Sequence, residues 1–479
     1  MVSTIYQLIE FMEKSYSDRI AFQYYDNKEI YQITYREYIK DIKQFASYLK
    51  REMPDIEKRH IGILAKNSYE YAVCLYGIIL AGAVAVPLNM EENLAVISYE
   101  IKYADVSYVF TDGVYQKREL GYKDKFFDIT RNINEYRNCK RIYKLEDTCD
   151  IEKLALLLFT SGTTGKSKAV MLSQKNIFTP IKNFVNQSKI GITTRQRMLV
   201  MVPLYHVSGI AALLTTNAAG NLVNLCTSMK HLYRDIQVLE SDYTLVVPVV
   251  LKSFYKDIKK GKIYRLGKIK VIFCGGATVD SEMFLEFQNH GIKIIQAYGL
   301  TEIFGNGTIN NTTTFEKANS IGIPSSECKV KIENNEILLR SEAVMQGYYK
   351  NPEETRKAIH NGWLHTGDLG YLDQDGYLYL SGRKKNLIIL ESGENVSPEE
   401  LECLLRKNPI IQEVVVRESN NKICAEIYCQ KDQYKLVDEY IQKVNRSLAY
   451  YKRIVSIKFR NEPFKRNASG KIMRREIKD

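Results

Sequence analysis

The stretch LLLFTSGTTGKSKAVM, Leu156 to Met171, constrains this chain more than any other. An apolar run suited to a buried strand passes directly into a loop built of Ser, Thr and Gly. Gly162 and Gly165 can adopt backbone angles closed to other residues and leave main-chain N–H groups facing an anion. Thr160, Ser161, Thr163 and Thr164 add hydroxyl donors, and Lys166 and Lys168 add positive charge. A surface turn in a lysine-rich protein is the plainer reading, but so long a run of small polar residues feeding Gly-Lys points to a polyphosphate cradle. A Walker A loop is disfavoured, because Thr160 stands where that pattern requires glycine five positions before Gly165.

At 479 residues the chain exceeds one ordinary core, so two or more domains are expected. A hydrophobic share of 45% against 26% charged residues describes a soluble globular protein rather than a disordered or membrane one. The nine cysteines form no C-x-x-C pair, which argues against a disulfide framework and a zinc ribbon and for reduced thiols in the cytoplasm. The N-terminus has no basic region ahead of its apolar pattern, so no secretory signal is expected. Tyr71 to Val86 is apolar but too short to span a bilayer, and Gly77, Gly82 and Pro87 interrupt it. A buried helix through about Leu80 and a strand Ala83–Val86 account for it. The net charge of +12 suits anionic small substrates or an acidic carrier protein, and with no nucleic-acid motif a solvated lysine surface explains the rest.

Along the chain, apolar strands at His60–Ala65, Ala83–Val86, Val106–Phe110, Met198–Val202, Tyr243–Val247, Lys270–Phe273 and Lys293–Gln296 alternate with helical patterns, as in parallel α/β units. Function in such sheets sits at strand C-terminal ends. PLYHVSG, CGGATVD and AYGLTE all follow strands. From about Glu336 the pattern becomes alternating and turn-rich, and Asp375-Gly376 reads as a hairpin turn. After Arg383 a compact segment carries strands near Asn386–Leu390, Glu413–Arg417 and Lys422–Tyr428 and helices near Pro398–Lys407 and Gln433–Leu448. The expected architecture is a large α/β domain, 1–383, and a small α+β domain, 384–479.

Thr-Ser-Gly-Thr-Thr-Gly-Lys at 160–166 resembles the phosphate loop of the adenylate-forming enzymes, which include acyl-CoA synthetases, peptide-synthetase adenylation domains and luciferases. That pattern continues with Pro and Gly where this chain has Ser167 and Ala169. Five more segments follow in the family's order. Gln296-Ala297-Tyr298-Gly299-Leu300-Thr301-Glu302 resembles the segment whose tyrosine flanks adenine and whose glutamate holds Mg²⁺. Thr366-Gly367-Asp368 resembles the motif whose aspartate accepts the ribose hydroxyls. Ser381 to Lys385 resembles the interdomain hinge, with Arg383 at the nucleoside and Lys385 as pivot. Gly393-Glu394-Asn395-Val396 resembles the loop entering the thioester-forming site, and Asn467 to Lys471 the loop bearing the catalytic lysine. The resemblance spans nearly the whole chain and implies ATP, Mg²⁺ and CoA, or a carrier-protein phosphopantetheine, as reactants.

The proposed chemistry explains these residue types. A carboxylate must attack the α-phosphorus of ATP, two anions that repel, and the leaving pyrophosphate gathers charge. Mg²⁺ at Glu302, the loop donors and Lys471 can neutralise it, while Asp368 and Arg383 orient the nucleoside. No general base is required, since the acid is already ionised at pH 7. His206 in PLYHVSG is as readily a structural histidine as a functional one; in acyl- and aryl-CoA synthetases a histidine there borders the carboxylate and the thiol tunnel. The resemblance also places Gly209, Gly275, Gly276 and Ala277 at the acyl pocket and adenine wall. The absence of an amine-binding aspartate, and Leu300 where amino-acid-activating relatives favour proline, point away from amino acids.

The expected activity is ATP-dependent activation of a fatty or aryl carboxylic acid, placing the enzyme in fatty acid metabolism, followed by transfer to CoA with release of AMP and pyrophosphate. The first rival is a stand-alone adenylating enzyme loading an acidic acyl carrier protein. The second is a non-catalytic basic protein of nucleic acid or membrane surfaces, which explains the charge but not the ordered motifs.

Overall fold

The computed structural model describes residues 2–113, 126–137, 145, 147, 150–160, 167–186, 193, 195–275, 279, 281–390, 394–419, 422–466, 472–474 and 477. By its internal contacts the chain divides into two units, Met1–Lys329 with Leu339–Leu364, and Val330–Leu338 with His365–Asp479.

The first unit holds two large sheets. One has nine strands in the spatial order Ile323–Pro324, Thr308–Asn310, Lys293–Tyr298, Val271–Gly275, Tyr243–Val246, Arg197–Val200, Leu222–Leu225, Ile20–Asp26 and Glu29–Thr34. Its central ladders are parallel and its outer ones antiparallel. The other has seven strands, in the order Gly347–Tyr348, Lys168–Ser173, Leu154–Thr160, Val84–Pro87, His60–Leu64, Val106–Thr111 and Phe126–Asp128. The alternating strands and helices read from the sequence are therefore parallel α/β units. The apolar run after Tyr71 lies in helix Tyr69–Leu80, whose N-terminus Ser68 caps by accepting from the Tyr71 amide. That helix is buried on nearly all sides against protein, which explains its hydrophobicity without a bilayer. Among the described residues no helix is long and apolar enough to cross a membrane. The seven described cysteines are all unpaired thiols.

The second unit packs helices Pro398–Leu405 and Tyr434–Ser447 on a three-stranded sheet, Glu413–Ser419, Lys422–Tyr428 and Ser456–Arg460. Leu401, Leu405, Val414, Val416, Ile423, Ile427, Val437 and Ile441 form its core. The third strand, parallel to the second, was not legible: its alternation is short and half exposed. The strand expected at Asn386–Leu390 shrinks to Ile388–Ile389, because Lys384–Asn386 close a single helical turn first. The Asp375-Gly376 turn joins antiparallel strands Trp363–Leu372 and Leu378–Arg383, with Gly376 at φ 80°.

Candidate active site

The strands on either side of the glycine-rich stretch pair with each other. Leu154–Thr160 pairs antiparallel with Lys168–Ser173, and Thr160 stands opposite Lys168. Thr160 is thus the last strand residue before the loop; Ser161, Gly162, Thr163, Thr164, Gly165 and Lys166 lie outside the described residues. Lys168 is nearly buried, and its ammonium pairs with Glu354 and lies 4.9 Å from the centroid of the Tyr348 ring. Lys168 in turn holds the Glu354 carboxyl below the usual carboxylate range. Neither Glu354 nor Tyr348 carried a sequence signal, since their contacts bridge nearly two hundred residues.

The parallel strand Lys293–Tyr298 ends in the loop that carries Glu302. Gly299 approaches the Gly305 carbonyl so closely that a Cβ would sit 2.1 Å from its oxygen, and Phe304 and Gly305 take φ of 48° and 76° to complete the wrap. The Gly305 amide donates to the Leu300 carbonyl at 2.8 Å. Glu302, in the single turn Thr301–Ile303, is thereby fixed in its main chain, and its Oε1 accepts the Tyr348 phenol at 2.8 Å. Burial, and then the Glu302 carboxylate, push the Tyr348 phenol up, so it acts as a donor.

The two residues that open this segment have different surroundings. Gln296 is buried, accepting the Val279 amide at 2.8 Å and donating to the Ala318 carbonyl, so its side chain ties the sheet to the following segment. Ala297 stands opposite Gly275 in the ladder, and Tyr298 is mostly buried. Gly276 and Ala277 lie outside the described residues.

His206 caps helix Val207–Ala218, its Nδ1 taking the Ser208 amide at 3.3 Å and lying 2.8 Å from the Ser208 hydroxyl. Its ring is exposed, so the structural task of capping does not bury it. Gly209 serves close approach, since a Cβ there would fall 2.1 Å from the Pro203 carbonyl oxygen. Asn67, which gave no signal, clamps the same segment by donating to the Val202 carbonyl at 2.9 Å and accepting the Leu204 amide at 2.8 Å.

In the second unit Asp368 stands opposite Arg383 across the ladder, and Arg383 Nε donates to the buried Asp368 carboxylate at 2.8 Å. The turn before Asp368 is held by Thr366, whose hydroxyl donates to the Ile337 carbonyl at 2.7 Å and accepts the Asp368 amide at 3.0 Å. Glu336, missed in the sequence because it opens the apolar strand EILLR, accepts the Gly367 amide at 3.0 Å and the Lys384 ammonium at 2.9 Å. Burial pushes the Glu336 carboxyl up, but Lys384, the Gly367 amide and His365 bring it below the usual range. Next to Lys385, the Asn386 side-chain amide donates to the Glu399 carboxylate at 2.5 Å, a charge-assisted hydrogen bond. Glu394 is half-buried and Asn395 exposed; Gly393 and Lys471 lie outside the described residues.

A magnesium ion fits this donor set. Glu302 offers one hard carboxylate, and among the described residues no group of three or more His, Cys, Asp or Glu could hold a metal. One carboxylate suits Mg²⁺, which keeps water and takes substrate phosphates as its other ligands.

Residues 10–349 match the family model described as AMP-binding enzyme. The chain is 28% identical to a 2-succinylbenzoate–CoA ligase of Bacillus subtilis over 480 aligned positions, covering 96% of this chain and 95% of the relative. It is 27% identical to the 2-succinylbenzoate–CoA ligase of Oceanobacillus iheyensis, with 96% of each covered. Among solved structures, the o-succinylbenzoate CoA synthetase of Bacillus subtilis in complex with its acyl-adenylate superposes with a TM-score of 0.86 at 26% identity, covering 98% of both chains. The same enzyme in complex with ATP and magnesium gives a TM-score of 0.84 at 26% identity, covering 98% of this chain and 99% of that one.

Proposed function

The chain belongs to the AMP-binding enzyme family, and from that premise we propose that it is an AMP-forming acid–CoA ligase whose acid is an aromatic carboxylate of the 2-succinylbenzoate type. The observation that carries this reading is the end-to-end alignment with 2-succinylbenzoate–CoA ligases, which covers both units rather than a nucleotide-binding core alone. Of the two acid classes expected from the sequence, the aryl one gains support from these relatives, and the placement in fatty acid metabolism does not.

The chain's residues divide the work. Thr160 to Lys166 receive the phosphates. Tyr298, with Gly276 and Ala277, borders the adenine, and Asp368, oriented by Arg383, accepts the ribose hydroxyls. Glu302 holds Mg²⁺, which when bound withdraws charge from the phosphate oxygens. His206 borders the acid. The carboxylate attacks the α-phosphorus, the bond to pyrophosphate breaks, and the acyl-adenylate then yields AMP as the CoA sulfur takes the acyl group. In this proposal Lys471 serves the first step, Gly393, Glu394 and Asn395 serve the second, and Lys385 is the pivot between them.

The test is ATP–pyrophosphate exchange across a panel of 2-succinylbenzoate, benzoate, medium and long fatty acids and amino acids, followed by thioester formation with CoA and with a holo-carrier protein. Exchange led by 2-succinylbenzoate and a thioester on CoA are expected. Preference for fatty acids would overturn the acid class, and thioester on the carrier alone would replace CoA as the acceptor.

A further inference from the structure

We propose that Tyr348 is a positioning residue for Glu302, with Lys168 and Glu354 holding its ring; this rests on the reading of Glu302 as the metal carboxylate. The segment Met345–Tyr348 grips Glu302 twice. The Met345 amide donates to the Glu302 main-chain carbonyl at 2.8 Å, and the Tyr348 phenol donates to its side-chain Oε1 at 2.8 Å. A carboxylate on a single helical turn has free rotation about its terminal bonds unless one oxygen is pinned; pinning Oε1 sets the direction of the other.

The phenol is itself immobilised from three sides. Gly347–Tyr348 pairs antiparallel with the strand that leaves the glycine-rich loop, Tyr348 opposite Val170. The Tyr348 amide donates to the Thr355 hydroxyl at 2.8 Å, which donates onward to the Asn351 carbonyl at 2.8 Å. The Lys168 ammonium lies 4.9 Å from the ring centroid and is kept there by Glu354, whose amide is capped by Asn351 at 3.1 Å. The lysine of the loop motif thus acts through the ring on the carboxylate, in addition to lending charge near the phosphates. A purely structural tie between strand and loop would need the backbone bonds alone; the phenol–carboxylate bond adds orientation to the one group expected to meet the metal.

The experiment compares ATP binding by isothermal titration calorimetry with excess Mg²⁺ and with EDTA, for wild type, Tyr348→Phe, Glu354→Gln and Glu302→Gln, with melting temperatures as the folding control. Tyr348→Phe keeps the ring under Lys168 and removes only the hydroxyl. It should lose about tenfold in affinity with Mg²⁺ and nothing in EDTA, and should raise the Mg²⁺ concentration for half-maximal exchange about tenfold with the acid KM unchanged. Glu354→Gln should shift the same Mg²⁺-dependent quantities by a smaller factor. Equal losses with and without Mg²⁺, or no loss in either variant, would overturn the proposal. If Glu302→Gln keeps the wild-type Mg²⁺ gain, the assignment of the metal carboxylate is what fails; if Glu302→Gln loses that gain while Tyr348→Phe keeps it, only the present inference falls.

Discussion

Replacing Glu100 by glutamine should stabilise the protein at alkaline pH and do little in acid. Glu100 lies on helix Leu94–Tyr103 with 3% of its surface exposed, and among the described residues its Oε2 meets no hydrogen-bond partner. Burial pushes its carboxyl from 4.5 up to about 7; the Ser167 hydroxyl opposes that rise and Glu92 adds to it. The folded state therefore keeps a proton that the unfolded chain releases. The contribution of the protonated acid is complete below pH 4.5 and is lost as pH rises through about 7. The interval between those values corresponds to about 3 kcal/mol. Glutamine carries no such loss, keeps an amide that can bond the Ser167 hydroxyl, and matches the acid in size. Urea or thermal unfolding of both proteins at pH 5, 6, 7 and 8 cancels every titration they share. The glutamine variant should gain on wild type with rising pH, by up to about 1.4 kcal/mol per pH unit, and level off above pH 7. An offset constant across the range would refute the reasoning, because it would mean that the carboxyl ionises alike in both states.

Asp368→Asn removes the charge that binds Arg383 and, in the proposed site, the ribose, and should raise the ATP requirement in exchange by about 1.5–3 kcal/mol, read as KM. Arg474→Ala strips an ion pair of 2.5 Å from the buried Glu402 and should destabilise the second unit by about 3 kcal/mol in a melting experiment. Lys471→Ala should instead abolish exchange without moving the melting temperature, and equal, mild effects of the two on exchange would remove the lysine assignment. Gly299→Ala drives a methyl against the Gly305 carbonyl and, by displacing Glu302, should slow exchange about a hundredfold while circular dichroism stays unchanged.

The sequence by itself determined the parts of this protein that are local. The apolar strands between helices, the hairpin at Asp375-Gly376, the buried helix ending at Leu80 and the order of the glycine-rich, YGLTE and TGD segments are short-range patterns, because periodicity and turn chemistry act over a few residues. Two separate motifs, TGD and SGRKK, marked Asp368 and Arg383, and the strand register makes them partners. Only the tertiary structure decided which polar groups are paired. Glu302 meets Tyr348 across 46 residues, Lys168 meets Glu354 across 186, and Lys384 meets Glu336 across 48. Nothing in EILLR marks its glutamate as buried, and nothing in the pattern around Arg474 separates it from a solvated base. Burying a charge is tolerable only when a partner from a distant segment arrives with it. Such pairs are fixed by how strands and helices stack, so they have no signature along the chain.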